Sequence, residues 1–142
     1  MDWPKIVIVI DEIANLLMAG PAAEKPLIRI ASMGRAVGIH LVLATQRPDA
    51  TVLTGQLRAN IAARIAFMTM TAAESRIILD ETGAETLAGK GAMLARIPGE
   101  RGLQRLQGRN ITDTDIATAV RDARRLADPG RSSDGRSTQP IH

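Results

Sequence analysis

Residues 6–12, Ile6-Val7-Ile8-Val9-Ile10-Asp11-Glu12, join five consecutive β-branched apolar residues to two adjacent carboxylates. Such a run suits a strand buried on both faces of a parallel sheet. In open α/β sheets ligands gather at the carboxyl ends of the strands, which is where Asp11 and Glu12 would stand. An apolar strand ending in Asp-Glu has the form of a Walker B segment, in which the Asp supports Mg²⁺ and the Glu polarises a water. The same pair also suits the first turn of a helix, where acidic side chains meet the positive end of the helix dipole. Taken alone, the segment leaves both readings open.

A second strand, Ile39 to Ala44, delivers Thr45-Gln46-Arg47 to the same kind of edge, and Pro48 then turns the chain out of the sheet. A glutamine beside a Walker B strand can sense a γ-phosphate or orient a water. Capping a nearby backbone group is the more ordinary role for a loop amide such as Gln46. No G-x-x-x-x-G-K-[ST] loop occurs anywhere in the 142 residues. Gly89-Lys90-Gly91 is followed by Ala92 and a strand, whereas phosphates need a glycine loop leading into a helix N-terminus. This segment by itself is therefore expected to bind nucleotide poorly. His40 and His142 are isolated and cysteine is absent, which argues against a histidine metal site and rules out thiolate ligands and disulfides.

The elements that must position these residues follow from periodicity and caps. A short helix over Ile13–Ala19 stops at Gly20-Pro21, and a second over Ala23–Val37 presents Leu27, Ile30, Ala31 and Gly34 to the sheet. Thr54–Asn60 reads as a short helix and Ile61–Met70 contains a third strand. Thr71-Ala72-Ala73-Glu74 is a capping box for a helix ending near Leu79 or Asp80. Strands Ala92–Ala95 and Leu103–Gln107 form a hairpin around Pro98-Gly99. A cap at Thr112–Asp115 opens a last helix reaching Leu126, with Asp in its first turn and Arg124-Arg125 in its last. Alternation of strands and helices indicates an α/β sheet. Residues 1–127 read as one partial domain and residues 128–142, rich in Gly, Ser, Pro, Arg and Asp, as a disordered tail or linker.

The core must be aliphatic, since Trp3 and Phe67 are the only aromatics. No segment approaches the roughly 18 apolar residues of a membrane span, and no signal peptide is evident. The net charge is only +3, but residues 29–64 hold five arginines against the single acid Asp49. Arginine suits bidentate phosphate recognition, so the bias hints at nucleotide or nucleic acid; a solvated basic face is the commoner cause.

Several segments together resemble the FtsK/SpoIIIE family of DNA translocases: Ile6–Leu17, Arg35–Pro48, Thr54-Gly55, Ala59-Asn60-Ile61, Arg64–Phe67, Ser75–Asp80, Gly83-Ala84-Glu85, Leu87-Ala88-Gly89 and Gly91–Leu94. Their order and spacing hold from about residue 4 to residue 126. The resemblance implies the later half of a RecA-like P-loop NTPase motor. That is a mostly parallel sheet flanked by helices with a C-terminal hairpin and helix, the Walker A half preceding Met1. It implies ATP and Mg²⁺ as cofactors, double-stranded DNA as partner, a hexameric ring, and a cytoplasmic location with any membrane tether outside this chain. By residue, it makes Asp11 the Mg²⁺-supporting aspartate, Glu12 the water-activating carboxylate and Gln46 the sensor. Arg35 becomes the arginine that reaches a neighbouring subunit's ATP, and Arg47, Arg58 and Arg76 face the DNA channel. Ala72 stands where members often have Lys, and Asn15 where Asp is frequent. Two other readings share these residues: a related conjugation or secretion ATPase, and a non-catalytic DNA-binding or ring-capping module.

Overall fold

The computed structural model describes residues 4–127, which fall into two compact units divided between Gly108 and Arg109. The expected tail at 128–142 lies outside the described residues. The first unit opens with β1 (Ile6–Ile10) and α1 (Ile13–Ala19), then a 3-10 turn at Pro21–Ala23 and α2 (Glu24–Met33). The single helix expected over Ala23–Val37 is thus divided, its last turn tightening to 3-10 geometry at Gly34–Val37. Pro26 is accommodated because it sits in the first turn of α2, where a missing N–H breaks no helical bond. Gly34 permits a close approach: a Cβ there would stand 2.8 Å from the Ile39 carbonyl oxygen. Gly38, at φ 76°, then reverses the chain into β2 (Ile39–Leu43).

β1 and β2 pair in parallel, Ile6 opposite Ile39 through Ile10 opposite Leu43. One face of this pair packs on the helices. Ile10, Leu41 and Leu43 lie against a core of Ile13, Ala14, Leu27, Val52 and Leu57, the last contributed by α3 (Gly55–Asn60). The opposite face is open in the structure. Val7 and Val9 are 60% and 66% exposed, with Val42 beside them, so the expectation of a strand buried on both faces is not met here. The physical reason is simple: every helix of this unit in contact with β1 and β2 covers the same side.

β3 (Arg64–Ala66) joins a second, antiparallel sheet with β4 (Ala92–Arg96) and β5 (Gln104–Gln107), in the order β3-β4-β5. Its one large apolar residue points away from the core. Ile65 is 55% exposed, whereas Ala66 is buried with Leu79, Ala84, Leu87 and Ala92 beneath α4 (Ala72–Leu79). The Thr71 capping box forms as expected: the Glu74 amide donates to Thr71 Oγ1 (3.2 Å), and the Thr71 amide to Glu74 Oε2 (3.0 Å). Ser75, the only fully buried polar residue among those described, donates to the Glu81 carbonyl and accepts from the Ala84 amide, tying α4 to the turn that follows.

The second unit contains α5 (Asp113–Ala127). Its N-terminus is capped as expected, the Asp115 amide donating to Thr112 Oγ1 while Asp115 Oδ2 accepts from the Thr112 amide and hydroxyl. Asp113 and Asp115 lie in its first turn and Arg124 and Arg125 in its last, matching the helix dipole.

Candidate functional site

The parallel ladder carries on past the strands: the Ala44 amide donates to Ile10 O and the Ile13 amide to Ala44 O, each at 2.9 Å. Asp11-Glu12 and Thr45-Gln46 are therefore neighbours at one sheet edge, as their places at two strand ends require. Glu12 reaches across. Its Oε1 accepts the Thr45 hydroxyl at 2.6 Å and its Oε2 the Gln46 amide at 2.9 Å, partners 33 and 34 residues distant in sequence. The Thr45 hydroxyl, followed by the Gln46 amide, holds the Glu12 carboxyl below the usual carboxylate range, with Arg47 adding a smaller pull. Glu12 is thus an anion at neutral pH.

Glu12 is also the residue that precedes α1, yet its side chain makes no capping bond to that helix. The helix-opening role open to it in the sequence is taken only by its backbone. That backbone is left-handed, φ 51° and ψ 67°, a conformation costing a non-glycine residue on the order of 1–3 kcal/mol and found where surroundings over-determine it.

Asp11 is exposed at the end of β1, and no ion pair among the described residues engages it. Mg²⁺ is commonly held by one or two carboxylates together with phosphate oxygens and water, and a lone exposed carboxylate beside Glu12 fits that mode. Among the described residues there is no cluster of three or more acidic or histidine ligands that would hold a metal by itself. Lys90 adopts φ 52° between Gly89 and Gly91 and leads into β4, so no helix N-terminus stands behind it.

The arginines separate into distinct environments. Arg35 is exposed in the 3-10 turn before β2, the length of a five-residue strand (about 15 Å) from the edge that carries Glu12. The fold therefore does not bring Arg35 to Asp11 and Glu12 of its own chain. Arg47 lies at that edge, its Nη1 against Met18 Sδ at 3.1 Å. Arg76 is exposed on α4. Arg58 is engaged, donating from Nε to Leu53 O (3.1 Å) and from Nη1 to Asp80 Oδ1 (2.9 Å).

Three residues to which the sequence assigned no individual role organise these surroundings. Thr45 grips Glu12; Asp80 joins Arg58 to Arg64; Arg64, on β3, is the more buried of those two arginines. Asp80 stands at the left-handed C-cap of α4, where a short polar residue is a local signal of chain reversal, but its ionic partners are not adjacent in sequence. A shallow cavity of about 370 Å³ opens beside this cluster, lined by Gly55, Ala59, Ile61 and Ala62 with the three charged residues, away from the Glu12 edge.

Residues 1–50 match the model of the FtsK/SpoIIIE family. A DNA translocase FtsK of Treponema pallidum is 48% identical over 89% of this chain, and one of Streptomyces coelicolor 45% identical over 83%. The chain spans only 16% and 13% of the length of those relatives. Among solved structures, the pCW3 conjugation coupling protein TcpA superposes with a TM-score of 0.74 at 29% identity, over 86% of this chain and 38% of that one. The cytoplasmic domain of the type VII secretion ATPase EccC of Thermomonospora curvata gives 0.73 at 28% identity, over 98% and 16%. The α/β architecture is that of part of a RecA-like P-loop ATPase core. With about half of its residues shared with FtsK translocases over most of its length, and with residues 1–50 matching the family model, the chain belongs to the FtsK/SpoIIIE family.

Proposed function

We infer that this chain is the later part of an ATP-driven motor that moves double-stranded DNA, contributing the Walker B edge while a segment outside these residues supplies the phosphate-binding glycine loop. The observation that carries this reading is the Glu12 carboxylate, ionised and aimed by Thr45 and Gln46 beside the exposed Asp11. Each Glu12 oxygen accepts one donor and so keeps a lone pair for a water proton. In this role Glu12 orients and deprotonates the attacking water, and the Gln46 side chain, exposed next to it, meets the γ-phosphate. Asp11 would hold Mg²⁺, which when bound neutralises charge on the phosphates.

Arg35, remote from Glu12 in its own chain, acts on the nucleotide of a neighbouring copy in a hexameric ring. Arg47, Arg58 and Arg76 contact DNA phosphates, which gives grip without sequence reading. The site of action is cytoplasmic; no helix among the described residues is long and apolar enough to cross a membrane. In the translocase that contains this segment, Glu12→Gln should abolish DNA-stimulated ATP hydrolysis, and full turnover in that variant would overturn the assignment.

The likeness to a conjugation coupling protein and a secretion ATPase favours one second reading, a related pump with single-stranded DNA or protein as cargo. Stimulation of ATP hydrolysis by duplex DNA, single-stranded DNA and protein, compared side by side, separates the two.

A further inference from the structure

We propose that Thr45 is a positioning residue that aims the Glu12 carboxylate for water activation, an inference that rests on the Walker B reading of Asp11-Glu12. The Thr45 hydroxyl has one proton and two acceptors within reach, Glu12 Oε1 at 2.6 Å and the Arg47 carbonyl at 3.5 Å. The nearer, charged acceptor takes it. The hydroxyl oxygen meanwhile accepts the Arg47 amide at 3.0 Å, which stops the rotor from turning away. The Gln46 amide, at 2.9 Å from Oε2, grips the other carboxylate oxygen.

Two donors from consecutive residues of one strand end thus fix both the place and the plane of the carboxylate. With the Gln46 amide alone, the carboxylate swings about a single hydrogen bond. Glu12 starts from a left-handed backbone and its side chain makes no capping hydrogen bond to the helix it precedes, so its two hydrogen bonds both come from the residues that follow β2. A displacement of about 1 Å between reacting groups can cost on the order of a hundredfold in rate. The role of Thr45 is therefore geometric, exerted through Glu12 and not on the nucleotide itself.

The test compares Thr45→Val, which keeps shape and removes the hydroxyl, with Thr45→Ser, which keeps the hydroxyl; Thr45→Ala is read in parallel in case valine disturbs folding. In the 142-residue chain the readout is the backbone amide signal of Gln46 by NMR and its hydrogen-exchange rate. In the translocase that contains this segment it is kcat and KM for ATP. The expected result is a displaced, faster-exchanging Gln46 amide in the valine and alanine variants. Their kcat should fall at least about tenfold at unchanged KM, and serine should restore both readouts. An unmoved Gln46 amide, an unchanged kcat, or serine behaving like valine overturns the proposal. Glu12→Gln separates the two failures. Turnover in Glu12→Gln sinks the Walker B reading itself, whereas loss there with full turnover in Thr45→Val sinks only the role of Thr45.

Discussion

Asp80 Oδ2 and Arg64 Nη2 are 2.5 Å apart, an ion pair that locks the C-cap of α4 to β3. The side chain of Arg64 is only 14% exposed and its Nε is buried without a partner, so Asp80 is what compensates that guanidinium; Asp80 itself is half exposed. The second Asp80 oxygen takes Arg58 from α3. One carboxylate therefore connects the helix of the first core cluster with the strand and helix of the second.

Asp80→Asn should destabilise the chain by about 1–2 kcal/mol. This takes a charged hydrogen bond at roughly 1.5–3 kcal/mol and discounts it for the solvent screening of a half-exposed partner. Equilibrium urea denaturation of the two proteins under one set of conditions checks it. A midpoint unchanged within error would show that the pair is ornamental.

Arg64, followed by burial in the opposite sense, sets the Asp80 carboxyl below its ordinary value. A carboxyl whose folded pKa is depressed stabilises the fold above its unfolded pKa, near 3.9, and loses that stabilisation as pH falls through the folded value. Wild type should therefore lose stability below about pH 4 more steeply than Asp80→Asn, the two denaturation curves converging in acid. Divergence on acidification has the wrong sign and would refute the linkage.

Gly34→Ala places a Cβ 2.8 Å from the Ile39 carbonyl oxygen, a backbone atom that cannot swing aside. Overpacking of this kind costs about 1–3 kcal/mol, and here it strains the turn that delivers β2. Gly55→Ala, with no atom near its Cβ, is the control. A thermal melt should show a lowered midpoint for the first variant alone.

Arg58 and Arg76 should behave differently although both are proposed DNA contacts. Arg76→Ala removes an exposed cation, so stability should hold while the dependence of DNA affinity on salt weakens by about one phosphate contact. Arg58→Ala also breaks bonds to Leu53 O and Asp80, so it should lower stability as well. Denaturation midpoints and salt titrations of DNA binding, measured on the same preparations, check both. Equal stability loss in the two variants contradicts the distinction.

Much was legible locally. β1 and β2, the Thr71 capping box and the Thr112–Asp115 cap each depend on residues within a few positions of one another, so periodicity and caps sufficed to place them. The carboxylates at the end of β1 and the polar residues at the end of β2 were equally visible, because a strand's carboxyl end is a property of chain direction.

Tertiary structure decided the rest. Alternation along residues 61–67 defines two faces without saying which is inward, and packing under α4 chose Ala66 over the larger Ile65 and Phe67, with Arg64 on the same inward face paired to Asp80. Five β-branched residues announced a strand, but whether its second face is covered depends on what lies against Val7 and Val9. The sequence alone determined that Asp11 and Glu12 stand at an edge where chemistry is possible. Only the parallel register of β1 with β2, a long-range pairing, decided that Thr45 and Gln46 hold Glu12, because partners 33 and 34 residues apart are joined by folding and not by spacing.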